Sequence, residues 1–306
     1  MEIMEARKFA ERVQEILGDG YEVNAVKVPK NNGDRIGISV KDVLPGQDIC
    51  SQSVKTVFYP DGTITPEMVA DTFTNSTAVS GKQAKRFIEC LNDPVKRDNA
   101  LWVTLSSDPG YAVKYLYKKQ GDLYLILSLF LEDEDGSTMK SNITKAHMML
   151  ETMKDITKEE LFAKAFTNVE QKAKVTWLAD EIRKIHFEMQ GLESEPAVNL
   201  LIGNERKQNK PDPTSDLVVI SIDSHTYGSA GVFTRRVQDW LIKHFNGCCY
   251  ILPSSVHEVL AVPGNIDLSI VELKEMVQSI NQEQVQPEEQ LSNEVYCLTS
   301  EGLKIA

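Results

Sequence analysis

Ser254, Ser255, His257 and Glu258 are the residues of this 306-residue chain whose types and spacing could do chemistry together. They stand in Tyr250-Ile251-Leu252-Pro253-Ser254-Ser255-Val256-His257-Glu258-Val259-Leu260-Ala261-Val262-Pro263, where a Pro-Ser-Ser corner separates two apolar runs. A hydroxyl, an imidazole within hydrogen-bond reach and a group orienting the ring would equip a hydrolase or transferase acting through Ser254 or Ser255 with His257. Two features weaken that reading. Neither serine lies in a G-x-S-x-G elbow. If the second strand starts near Val256, His257 and Glu258 point to opposite faces of the sheet and form no relay. Pro253-Ser254-Ser255 also reads as turn chemistry, a hydroxyl bonding backbone amides. The leading expectation is therefore a non-enzymatic binding or regulatory module, with Ser254, Ser255, His257 and Glu258 as its polar contact edge. The alternative is the hydrolase or transferase.

No metal or cofactor site is expected. A helical H-E-x-x-H motif starting at His257 would need a histidine at 261, where the chain has Ala261. The histidines at 147, 186, 225, 244 and 257 are scattered. Asp223-Ser224-His225-Thr226-Tyr227-Gly228-Ser229-Ala230-Gly231 follows an apolar strand and opens a helix, the place of a phosphate loop, but it lacks both G-x-G-x-x-G and Gly-Lys-Ser/Thr. Close packing through Gly228, Ala230 and Gly231 is the simpler expectation, with Asp223 or Ser224 as a cap. Glu132-Asp133-Glu134-Asp135-Gly136 has Leu131 and Asn142 where a calcium loop needs its first and last ligands, so it reads as a charged turn.

The elements that must position these residues follow from periodicity. Ala6, Phe9, Val13 and Ile16 form a helical stripe ended by Gly18 and Gly20. Tyr21–Val28 and Arg35–Val40 make a hairpin around Asn31-Asn32-Gly33, and Val54–Tyr59 a strand ended by Pro60-Asp61-Gly62. Thr65-Pro66 starts a helix, and Ser80-x-x-Gln83 caps another. Leu101–Leu105, Tyr111–Tyr117 and Leu123–Leu131 read as strands, the last two joined at Gln120-Gly121. Thr157-x-x-Glu160 caps a helix, and Val175, Leu178, Ile182, Ile185 and Met189 give a helical stripe suited to packing on a sheet or helix. Residues 203–215 are polar and carry Pro211 and Pro213, a linker. Beyond it come a strand at Leu217–Ile222, a helix at Tyr227–Phe245, strands at Cys248–Leu252 and Val256–Val262, a helix through Ile270–Ile280 and a strand at Glu294–Leu298. The expected fold class is α+β: a mixed N-terminal region at 1–195, divisible into 1–95 and 96–195, the 203–215 linker, and a split ferredoxin-like β-α-β-β-α-β unit at 216–306.

The bulk properties narrow the partners. A formal charge of -12 repels phosphate backbones, so general nucleic-acid binding is not expected. The residues from Asp267 to Glu301 are rich in acids and make this end the most anionic. Five cysteines without a C-x-x-C pattern suggest reduced thiols in a cytoplasmic protein, with Cys248 and Cys249 as buried structural thiols. The N-terminus lacks a signal-peptide pattern, and no apolar run reaches the roughly 20 residues of a membrane helix. The expected partner is an unidentified protein or small molecule.

The stretch Tyr250–Val259 resembles the signature of an uncharacterised bacterial family, a domain of unknown function of anaerobic gut bacteria. The resemblance continues through Glu272-Leu273-Lys274-Glu275-Met276-Val277, Asn281, Glu289-Gln290-Leu291-Ser292 and Val295-Tyr296. It also covers Asn31-Asn32-Gly33, Gly37-Ile38-Ser39, Glu159-Glu160-Leu161-Phe162 and Asn168, most of the chain. Residues 190–215 depart from it, being longer and more polar. The resemblance implies a bacterial cytosolic protein of accessory character and brings no activity with it.

Overall fold

A computed structural model describes residues 3–42, 54–58, 65–75, 79–133, 136, 138–192, 197–202, 217–253 and 255–306, the side chains of 3, 42, 54–58, 71–75 and 79–85 excepted. Ser254, the 203–215 segment and the Pro60-Asp61-Gly62 turn lie outside the described residues, as do the Ser80 and Gln83 side chains. The chain combines helices with antiparallel sheets and is α+β. It divides into two compact units, Met1–Arg97 and Asp98–Ala306.

In the first unit, helix α1 (Ile3–Leu17) precedes strands β1 (Tyr21–Lys30), β2 (Gly33–Asp42) and β3 (Val54–Phe58), and helices α2 (Pro66–Asn75) and α3 (Val79–Asn92) follow. The strands form an antiparallel sheet in the order β1-β2-β3. The β1–β2 register closes at Lys30 and Gly33, and Asn32 (φ 63°) and Gly33 (φ 127°) supply the left-handed backbone this turn needs. Ala6, Ala10 and Val13 of α1 are buried with Ile38, Val40, Val69 and Ala70. Thr65 caps α2, its Oγ1 accepting the Met68 N–H at 3.3 Å. Helix α4 (Pro94–Ala100) leads into the second unit.

That unit begins with strand β4 (Leu101–Ser106), the short helix α5 (Pro109–Ala112), and strands β5 (Tyr117–Gln120), β6 (Leu123–Glu132) and β7 (Thr138–Asn142). Strand β6 pairs with β4 on one edge and with β5 and then β7 on the other. Tyr111–Tyr117 is thus not a strand. Asp108 accepts from the N–H groups of Gly110 and Tyr111, Pro109 occupies the first turn, and a helix forms there instead. Buried polar groups of the sheet satisfy one another: Asn142 donates to Tyr111 Oη at 2.8 Å, Ser128 donates to Asn142 at 2.9 Å, and Ser128 meets Thr104 at 3.0 Å.

Helix α6 (Lys158–Lys172) opens with the Thr157/Glu160 capping box. Then come β8 (Lys174–Trp177), helix α7 (Leu178–Met189), β9 (Val218–Ser221), α8 (Arg235–His244), β10 (Cys248–Leu252), β11 (Val259–Pro263), α9 (Ile270–Gln284), β12 (Tyr296–Thr299) and β13 (Gly302–Ile305). Among the described residues these strands form one antiparallel sheet, ordered β13-β12-β10-β11-β9-β8. The β-α-β-β-α-β succession is present from β9 to β12, but the sheet order is not ferredoxin-like. The β10–β11 hairpin is central, and β9 and β12 stand on its two sides. A ferredoxin-like unit has its first and fourth strands adjacent; here β8 occupies the free edge of β9 that a fourth strand would need.

Strand β8 precedes the polar 203–215 segment and β9 follows it, yet they are hydrogen-bonded neighbours from Lys174↔Ser221 to Trp177↔Val218. The strands on both sides of that segment lie in the Asp98–Ala306 unit. The single helix expected at Tyr227–Phe245 is two pieces, a 3-10 turn at Ser229–Phe233 and α8, and neither Asp223 nor Ser224 caps α8, whose cap position is Thr234. The predicted packing through glycine is present: a Cβ on Gly228 would lie 2.6 Å from the Ile222 nitrogen.

Helix α9 covers part of one sheet face, burying Leu273 and Val277 against Leu252 and Val262. Helix α7 differs from its expected role. Val175 belongs to β8, Leu178 is half-buried, and the rest of the stripe is exposed: Ile182 57%, Ile185 55% and Met189 82%.

Candidate binding cleft

Two loops at one end of the sheet build the site. The first joins β9 to the 3-10 turn and holds His225 (φ 49°) and Tyr227 (φ 56°) in left-handed backbone, a conformation that side-chain-bearing residues rarely adopt. The second joins β10 to β11 and contains Ser255, Val256, His257 and Glu258. Because β11 begins at Val259, His257 and Glu258 are not on a strand. The alternation that would set them on opposite faces does not apply, and both line the same cleft.

His257 locks the loops together. Its Nδ1 accepts the Tyr227 N–H at 3.2 Å, and its carbonyl accepts from the Gly228 N–H at 2.9 Å and from Ser221 Oγ at 3.1 Å. With Nδ1 an acceptor, the neutral ring carries its proton on Nε2, which faces Glu289 Oε1 at 3.3 Å. The ring also packs on Tyr227, with centroids 5.3 Å apart. Tyr227 is held in turn by Trp102, whose Nε1–H donates to its carbonyl at 2.9 Å, and Lys140 lies over its ring. Left-handed Tyr227 is thus held by His257, Trp102 and Lys140.

Ser255 takes a structural position. Its Oγ accepts the backbone N–H of His257 at 3.1 Å, the turn chemistry expected of the Pro-Ser-Ser corner. Both imidazole nitrogens face other groups, Tyr227 and Glu289, so the geometry forms no Ser255–His257 nucleophile–base pair. Val256 is buried and tied on both sides, its N–H to the Glu289 carbonyl at 2.8 Å and its carbonyl to Ser229 Oγ at 2.7 Å.

The cleft beside these loops has a volume of about 550 Å³. Its floor is the cross-strand pair Val219–Leu260, on the same sheet face as the Leu252 and Val262 that α9 covers. One wall is α7, through Leu178, Ile182 and Ile185; the other is the end of α9, through Ile280 and Gln284, with Val285 beyond. The open stripe of α7 is therefore a cleft wall. Glu181, Glu188, Glu258 and Glu289 line the cleft with Lys184, His225 and His257, so its titratable groups are mainly acidic.

His225 stands between two carboxylates, Nε2 3.9 Å from Glu181 and Nδ1 3.9 Å from Glu258. Glu258 pushes its pKa above the ordinary 6.5, with Glu181 adding to the effect and burial opposing it. At 3.9 Å the attraction is between charges and not a hydrogen bond. Among the described residues, no cluster of three or more His, Cys, Asp or Glu side chains is placed to hold a metal ion.

Sequence reasoning placed Ser255, His257 and Glu258 at the site. It missed Glu181, His225, Glu289 and the apolar walls, which are remote in sequence and carry no local motif. His225 does stand in the Asp223–Gly231 string, a segment read for phosphate chemistry and not for its histidine.

A family model matches residues 6–300 and carries the description of a family of unknown function, DUF5688. The chain belongs to DUF5688. No curated protein and no solved structure gives a significant match. The family match spans both units of the DUF5688 chain and includes all the residues of the cleft.

Proposed function

We propose that this protein is a non-enzymatic binding module, with its ligand seated in the cleft between α7 and α9 against the Ser255-Val256-His257-Glu258 loop. The observation that carries this reading is the assignment of His257: both ring nitrogens serve the chain, while the adjoining cleft keeps open apolar walls. The cleft volume, about 550 Å³, falls in the range of small-molecule sites. Described cysteines 90, 248, 249 and 297 are free, which supports a reducing, cytoplasmic setting. Among the described residues no helix is long and apolar enough to cross a membrane. The charge of -12 supports a partner other than nucleic acid.

The test is a thermal-shift panel of amines, amino acids, carboxylates and short peptides on the full chain and on Leu260→Trp, which fills the cleft floor. A ligand at 100-fold its Kd stabilises by ~2.7 kcal/mol, or about 5–10 °C for a unit of this size. The expected result is at least one ligand class that shifts the native chain and not Leu260→Trp. A panel without any shift would overturn the reading, and so would ester hydrolysis abolished by Ser255→Ala.

A further inference from the structure

We propose that the cleft recognises a small organic cation, a primary ammonium or guanidinium group carried on an apolar body, with the charge seated against Glu181 and its neighbouring carboxylates and the body on Val219, Leu260 and Ile185. This rests on the binding reading above and adds the chemistry of the ligand.

Glu181 is the starting observation. It is only 8% exposed and faces the cleft. Among the described residues no hydrogen bond reaches its carboxylate, and the nearest cationic group, His225 Nε2, stands off at 3.9 Å. A carboxylate this little exposed has fewer water donors than one at the open surface. The cleft provides the opening through which a donor can come. Glu258 shares His225 with Glu181, both at 3.9 Å, while Glu289 faces His257 and Glu188 is 3.9 Å from Lys184. Lys184 is thus the one lysine against four glutamates in the lining. An anionic ligand would face these carboxylates, and a neutral one would bring no charge to offset theirs. An ammonium supplies three N–H groups and a guanidinium five.

The apolar part of the lining sets the rest of the ligand. Ile182 and Ile185 are more than half exposed on the wall of a concave site. An alkyl or aryl body of about six heavy atoms would cover them without exceeding the volume. A small molecule fits this enclosure better than a folded partner, for which about 800 Å² per side is usual.

The experiment is calorimetric titration of the full chain at pH 7.5 with hexylammonium, 1-hexanol and hexanoate, which share one body and differ in charge, and with a lysine-rich peptide. Hexylammonium is expected to bind at least about tenfold more tightly than hexanol, the scale of one charge-assisted hydrogen bond, and hexanoate not at all. Glu181→Gln should weaken hexylammonium by about tenfold and leave hexanol unchanged. Equal binding of the three probes, abolished in Leu260→Trp, overturns the cation assignment and leaves the binding cleft standing. Binding by none of them overturns both, and binding of the peptide alone overturns the small-molecule assignment. The comparison on the native chain decides the matter even if Glu181→Gln fails to fold.

Discussion

His225 and His257 are thirty-two positions apart, and the same two loops give them opposite tasks. His257 is a brace, with an amide on one ring nitrogen and a carboxylate near the other. His225 is the more responsive group, lying between Glu258 and Glu181 with Lys184 near enough to oppose them. Its folded pKa is raised above the unfolded 6.5. The stabilisation from its protonated form is therefore complete below about pH 6.5 and is lost as pH rises through the folded value. A histidine NMR titration should show His225 protonating above the ordinary value, and Glu258→Gln should bring it down. A midpoint at or below the ordinary value in the native chain would contradict the ion-pair geometry.

At the scale of elements, local rules hold where short-range chemistry decides and fail where a neighbour decides. Helix α9 begins with Ser269 accepting the Glu272 N–H at 3.2 Å, while Glu272 accepts the Ser269 N–H at 2.7 Å. These two donors lie three residues apart, which is why this box and that of Thr157 and Glu160 depend only on local spacing. The Ser269 amide, then its hydroxyl, holds the Glu272 pKa below the ordinary 4.5. The reciprocal bond is thus present above that value and is lost as pH falls through the folded one. Ser269→Ala should cost about 1 kcal/mol at pH 7, with a smaller difference below pH 4, read by urea unfolding. Helix α7 is the contrary case. Its apolar spacing predicts burial, but nothing in a stripe states whether a covering element exists, and here the stripe borders an open cleft. The expected strand Tyr111–Tyr117 is similar: its composition is strand-like, but the Asp108 cap with Pro109 draws Tyr111 and Ala112 into a helix, and β5 begins only at Tyr117.

For the whole molecule, the division at Arg97–Asp98 means that, among the described residues, the first unit has one sheet and the second two, each unit with its own buried residues. Trp102, Trp177 and Trp240 all belong to Asp98–Ala306, so tryptophan fluorescence reports that unit alone. A fragment starting at Asp93 keeps the α4 cap, in which Asp93 accepts the Val95 N–H at 2.9 Å. Residues 93–306 should therefore unfold cooperatively, with a fluorescence transition resembling that of the full chain. A broad, non-cooperative transition would show that this unit needs residues 1–92.

Composition, spacing and capping by themselves determined the α+β class, the Asn32-Gly33 hairpin, the β10–β11 corner and the helix starts at Pro66, Lys158 and Ile270, because each depends on residues a few positions apart. The sheet order and the cleft were decided only in three dimensions. Strand β8 takes the edge of β9 across a polar segment that locally reads as a boundary, and Glu181, His225, His257 and Glu289 meet from four separate stretches of chain. Long-range pairing is a competition among all strands for edges and among all apolar faces for cover, so no local window contains its outcome.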